Sequence, residues 1–162
     1  MVPGADGQTR AGADVVLVRL GEDRYALPLA GISEVGRPGV LTRVPGVPGW
    51  VAGVTNWRGR VLAVLDLAVL LRGQPCRPER RSRLIVVQAG PGGSIRVGVL
   101  VDQVVASTVL PDQVDPSPAQ LAPAARRLLR GQLVVDGVPC GVLDLDAVAG
   151  LAAELRHERR AG

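Results

Sequence analysis

The chain of 162 residues contains no lysine and no phenylalanine, and it has one histidine, one asparagine, one tyrosine, two tryptophans and two cysteines. Each shortage removes a class of function. His157, the one histidine, sits in the polar tail Arg-His-Glu-Arg-Arg, so acid–base catalysis has no partner group to work with and no enzyme activity is expected. Cys76 and Cys140 are too few and too far apart for a zinc site of paired spacing, and no metal is expected. Cys140 lies in an apolar run, where a small buried thiol is the ordinary reading, and a disulfide to Cys76 in the Pro/Arg loop is not expected. The glycine run Gly90–Ser94 is followed by no lysine and opens no helix, so it reads as a hairpin turn rather than a phosphate loop, and no cofactor is expected. No apolar run reaches the roughly 18–20 residues of a membrane span. The N-terminal stretch has no apolar segment behind its charge, so it reads as no secretory signal and the chain reads as cytoplasmic.

A net charge of +4 raises the question of nucleic acid. All 19 basic residues are arginine, which is what a biased composition gives without selection for phosphate, and they are spread along the chain. The one dense group is Arg72, Arg77, Arg80, Arg81 and Arg83, interrupted by Glu79. Trp50, Trp57 and Tyr25 alone make a poor set of stacking platforms, so no nucleic-acid partner is expected; a basic β-barrel RNA-binding protein is the weaker alternative.

What is present is Val, Leu, Ala, Gly and Pro in a β pattern. Residues 15–20 and 25–29 flank Gly-Glu-Asp-Arg as a hairpin, and Arg60–Leu65, Arg83–Gln88, Ile95–Val101 and Val104–Leu110 are Val-rich runs of strand length. Helix is scarce: Leu67–Leu71, a turn or two within Ala119–Leu129, and Asp144–Arg159. The stretch Gly59-Arg-Val-Leu-Ala-Val-Leu-Asp-Leu is echoed by Gly137-Val-Pro-Cys-Gly-Val-Leu-Asp-Leu, 78 residues later. Asp66 and Asp144 each follow a strand and open a helical stretch, the position where a carboxylate accepts free amide hydrogens. A repeat of that period predicts two similar small barrels in one chain.

The residues also carry a resemblance. Pro45-Gly-Val-Pro-Gly-Trp-Val-Ala-Gly-Val-Thr-Asn-Trp-Arg-Gly-Arg-Val-Leu-Ala-Val-Leu-Asp-Leu is similar to the signature of the chemotaxis coupling, or CheW-like, family. Val97-Gly-Val-Leu-Val-Asp-Gln-Val resembles its Val-Gly-x-x-Val-Asp strand pair, and Leu128-Leu-Arg-Gly through Val142-Leu-Asp-Leu its closing segment. The blocks are collinear. Trp57 stands where leucine is usual and Ala63 where proline is frequent, and the first departure bears on partner selectivity.

The resemblance implies an all-β fold of two packed SH3-like five-stranded β barrels, with a few short helices and a C-terminal helix. It divides the chain into a flexible tail (1–13), the CheW-like domain (14–152) and a charged C-terminal tail (153–162). It implies a non-catalytic adaptor between chemoreceptor signalling tips and a chemotaxis histidine kinase, whether for flagellar, twitching or another chemosensory system. By matched position the receptor site is expected at Ile32, Glu34, Val35, Gly53, Val54, Asn56, Trp57 and Arg58. Three physical expectations go with it. Asn56 takes the positive φ of a tight turn, Gly53 and Gly59 admit close backbone, and Glu34 forms a bidentate salt bridge with Arg58 from the face opposite Ser33 and Val35.

Overall fold

The computed structural model describes residues 12–161. In chain order the elements are β1 (Ala13–Leu20), β2 (Asp23–Pro28), β3 (Ile32–Gly36), β4 (Val51–Trp57), β5 (Arg60–Leu65), α1 (Leu67–Arg72), β6 (Arg83–Ala89), β7 (Ile95–Val101), β8 (Gln103–Leu110), α2 (Pro123–Arg127), β9 (Leu129–Val135), β10 (Val138–Leu143) and α3 (Leu145–Arg160). The flexible tail expected over 1–13 lies almost wholly outside the described residues. The helix α3 runs on through residues 153–160, which the sequence reading set apart as a tail.

The strands form two five-stranded sheets, ordered β8-β1-β2-β10-β9 (barrel A) and β3-β6-β7-β5-β4 (barrel B). All neighbours are antiparallel except one parallel pair in each, β2 with β10 and β5 with β7. The two orders match strand for strand when β1–β5 is laid on β6–β10. Each repeat therefore gives its first two strands to one barrel and its last three to the other, so the 78-residue echo does not mark two barrels in series. The repeats exchange strands.

Both barrels close in the same way. The chain beyond β3 returns to β4, where Thr42 and Val54 exchange backbone hydrogen bonds of 2.8 and 2.9 Å; the chain beyond β8 returns to β9, where Asp115 and Gln132 exchange bonds of 3.0 and 2.9 Å. Gly53 (φ 145°) and Gly131 (φ 157°), again 78 residues apart, sit beside these crossings. A Cβ on either would fall inside contact distance of a carbonyl oxygen, that of Thr42 or of Asp115. The expectation of close backbone at Gly53 holds.

The apolar runs of β1, β6 and β7 do not alternate with polar residues because they are buried on both faces, whereas β8 is largely exposed. On β1, Val15 and Leu17 point into barrel A, with Ala26, Leu110 and Val142, whereas Val16, Val18 and Leu20 join a central core. On β6, Leu84 and Val86 fill barrel B with Leu62, Val64 and Leu100, whereas Ile85 and Val87 face the central core. Helices α1, α2 and α3 complete that core through Leu67, Ala125, Leu145 and Val148, with Leu128 just past the end of α2. The interior is thus built almost entirely from aliphatic side chains.

Asp66 and Asp144 cap as the sequence predicts. Asp144 accepts from Asp146 N at 3.0 Å and Ala147 N at 3.1 Å. Asp66 is 4% exposed and accepts from Ala68 N at 3.1 Å and, through its other oxygen, from Cys76 N at 2.8 Å. It pins the Pro/Arg loop as well as α1, so its loss strands one buried and one partly buried donor, where Asp144 holds an exposed and a partly buried one. Asp66→Ala is expected to lower unfolding free energy by about 2–3 kcal/mol, against about 1 kcal/mol for Asp144→Ala, as read by urea denaturation.

Candidate partner-binding site

The β4–β5 hairpin is closed by Arg58 (φ 51°) and Gly59 (φ 80°), both in the left-handed region that a two-residue hairpin turn of this hand requires. Asn56 does not take the positive φ; it ends the extended part of β4, and its Oδ1 accepts from Gly59 N at 2.9 Å. The side chain holds the turn from outside while a non-glycine residue, Arg58, bears the conformational cost. The repeat confirms the rule by contrast: Asp136 (φ 50°) and Gly137 (φ 76°) make the equivalent turn in the β9–β10 hairpin, with Val134 where Asn56 stands.

On β3 a bulge at Ser33 decides which side chains share a face. Ile32 pairs with Val87, Glu34 with Val86 and Val35 with Ile85, so the register slips by one between Ile32 and Glu34. Paired residues in an antiparallel ladder share a face. Ile32 and Val35 therefore stand on the central-core side with Val87 and Ile85, while Glu34 and Gly36 stand on the barrel-B side with Val86 and Leu84. Strict alternation would have put Ile32 with Glu34. Ile32 packs against the central core, whereas Val35 is 46% exposed.

Glu34 and Arg58 are joined, Arg58 Nε lying 3.0 Å from Glu34 Oε1. The pair is not bidentate as expected, because the second carboxylate oxygen is already taken. Glu34 Oε2 accepts from the indole N–H of Trp57 and from Arg96 Nη2, the latter at 3.0 Å. Trp57 reaches this point because its ring lies over Gly36, where a Cβ would collide with it. Since β3 and β4 are opposite ends of the sheet order, Trp57 and Glu34 also tie the barrel-B seam. Leucine at position 57 could fill space there but could not donate to the carboxylate.

Arg96 was missed by the sequence reading, although its signal was present. It shares parity on β7 with Gly98 and Leu100, which face the inside of barrel B, and a cation on that face needs a carboxylate. Trp57 first, then Arg58 and Arg96, hold the Glu34 carboxyl below its ordinary 4.5, while partial desolvation pushes the other way. A depressed folded value makes this contact present above 4.5 and lost as pH falls through the lower folded value. The Trp57 indole N–H resonance is therefore expected to hold steady from neutral pH to 4.5 and to move only below it, with no such transition in Glu34→Gln.

The structure thus brings Glu34, Trp57, Arg58 and Asn56 together around one carboxylate and one turn, and adds Arg96. It sets Ile32 and Val35 on the other face of β3. Gly53 and Val54 lie on β4, at the far end of the sheet order, with Val54 paired to Ala63, which also packs against the central core. Among the described residues no three of His, Cys, Asp or Glu gather in a way that would hold a metal. Burial pushes the Cys140 thiol up to about 11. Burial, with the carboxylates of Asp66 and Asp102, pushes Cys76 up as well, so neither is poised as a thiolate nucleophile. No helix among the described residues is long and apolar enough to cross a membrane.

Strand exchange between two five-stranded barrels defines an all-β, SH3-like protein. The CheW-like domain family matches residues 14–152, and the chain belongs to that family. It is 29% identical over 149 residues to the chemotaxis protein CheW of Rhizobium meliloti (strain 1021), covering 91% of this chain and 94% of that one. It is 37% identical over 123 residues to protein FrzA of Myxococcus xanthus, covering 75% of each. Among solved structures, the scaffolding protein TtCheW from Thermoanaerobacter tengcongensis superposes with a TM-score of 0.72 at 23% identity, over 83% of this chain and 85% of that one, which shows the shared fold.

Proposed function

We propose that this chain is a non-catalytic adaptor that couples chemoreceptor signalling tips to a chemotaxis-type histidine kinase. The reading is supported by family membership and by relatives that include a named chemotaxis protein. The single observation that carries it is the clamped Glu34. Two guanidinium groups and an indole converge on one carboxylate at the surface. That arrangement orients rather than reacts. It fixes Arg58, whose side chain remains 75% exposed and uses only Nε on Glu34, leaving its outer nitrogens free for a partner's acceptor. On the opposite face of β3, Ile32 packs on the central core and the exposed Val35 offers an apolar side chain to a helical partner.

The receptor surface comprises Ile32, Glu34, Val35, Asn56, Trp57 and Arg58, with Arg96 as the residue that positions Glu34; Gly53 and Val54 support the β4 edge. The kinase is held through a different surface. Co-sedimentation with a receptor cytoplasmic fragment tests the clamp. Glu34→Ala and Arg58→Ala each weaken capture, the double variant is no worse than the poorer single, and kinase binding persists in all three. Undiminished receptor capture by Arg58→Ala overturns the assignment of this surface.

A further inference from the structure

We infer that a cavity between the two barrels, on the Arg72–Arg83 side, is a binding site for a small tetrahedral oxyanion of the phosphate class. The cavity measures about 340 Å³ and is lined by Arg19, Arg72, Arg77, Glu79, Ser82 and Asp102 among others. Arg72 and Arg77 come from the arginine cluster that stood out in the sequence without a role. Arg19 reaches the same space from the end of β1, more than fifty residues earlier.

The charges in the cavity are unevenly matched. Arg72 is neutralised by Asp23, its Nε lying 3.0 Å from the carboxylate. Asp102 is engaged by the backbone N–H of Gly21, which fixes the β1–β2 turn. Glu79 N donates to Ser82 Oγ at 2.8 Å, and that buried hydroxyl keeps its own proton for a further acceptor. Arg19 is different. Its Nε is shielded from solvent and has no hydrogen-bond acceptor among the described residues. No described carboxylate lies within 4.0 Å of its guanidinium either. The other shielded Nε without an acceptor, that of Arg96, belongs to a guanidinium already neutralised by Glu34.

Arg19 itself is half-buried, but a shielded donor nitrogen with no acceptor is costly, and native proteins supply one. Here the cavity itself has room for it. Three guanidinium groups offer donors from different directions, which suits the several oxygens of a tetrahedral anion better than the two of a planar carboxylate. Glu79 and Asp102 oppose any anion, so affinity is modest and rests chiefly on Arg19, whose shielded Nε has no acceptor, with Arg77 at the exposed mouth. The cavity lies apart from the proposed receptor surface on β3 and the β4–β5 turn.

Titration of the full chain with inorganic phosphate at constant ionic strength, followed by amide NMR, tests it. Shifts confined to Arg19, Gly21, Arg77 and Asp102 are expected. Arg77→Gln, at an exposed position that folds readily, raises the Kd about tenfold or more, and Arg19→Gln does the same. Arg81→Gln, on the same loop but outside the cavity lining, leaves the Kd unchanged. Chloride at equal charge produces no such pattern. Equal weakening by all three variants, which marks diffuse screening, overturns the site, and so does the absence of localised shifts at tens of millimolar phosphate.

Discussion

Gly53→Ala and Gly131→Ala each lower the free energy of unfolding by about 2–4 kcal/mol, the largest stability losses expected from single methyl additions to this chain. Two effects combine at each position. The backbone lies at φ 145° or 157°, where an L side chain is strained, and the closing strand passes so near that the new methyl meets a carbonyl oxygen. Neither can relax alone, because the crossing bonds Thr42–Val54 and Asp115–Gln132 hold the two strands together. Gly59→Asn and Gly137→Asn provide the control. They share the positive φ but have no neighbouring atom within 4 Å, and asparagine tolerates that conformation. Their cost is expected to stay below about 1 kcal/mol by urea denaturation. Equal losses at all four sites would show that backbone conformation alone, and not barrel closure, sets the requirement.

Val35→Asp is the corresponding test of binding, expected to weaken receptor-fragment affinity by about 2 kcal/mol or more, roughly thirtyfold. The side chain is 46% exposed on an edge strand, so stability should change by less than about 1 kcal/mol. Ile32→Asp removes binding too, but Ile32 also packs on the central core, and a buried carboxylate there costs stability in its own right. Calorimetric titration of Val35→Asp separates the two contributions. Unchanged affinity in that folded variant removes the β3 strip from the receptor surface and leaves the Arg58 clamp to stand by itself.

Much of this architecture is legible in the chain. The 78-residue echo and the Asp66 and Asp144 caps follow from local rules, since a strand end followed by an aspartate and a helix is written in adjacent residues. The strand exchange is not, because β3 and β8 carry no mark of which sheet they enter; partner choice is settled by the central core, not by neighbours in sequence. The Glu34–Arg58 pair was expected, whereas its single-contact geometry depends on Trp57 and Arg96 competing for the same carboxylate. Asn56 shows the limit of residue preference. Its tolerance for positive φ pointed to the turn, but the turn is placed by pairing between Trp57 and Arg60, and that leaves Arg58 and Gly59 in the bend. The bulge at Ser33 was invisible for the same reason, being a property of the β3–β6 ladder.

The coupling role we propose requires this chain to hold two proteins at once. The most direct measurement is sedimentation of purified kinase with receptor fragments assembled on vesicles, in the presence and absence of this chain. The kinase is expected in the pellet only when the chain is present, and to be lost again with Val35→Asp although the kinase still binds that variant in solution. Kinase that pellets equally well without the chain, or a chain that pellets with the receptor but never retains the kinase, would contradict the account.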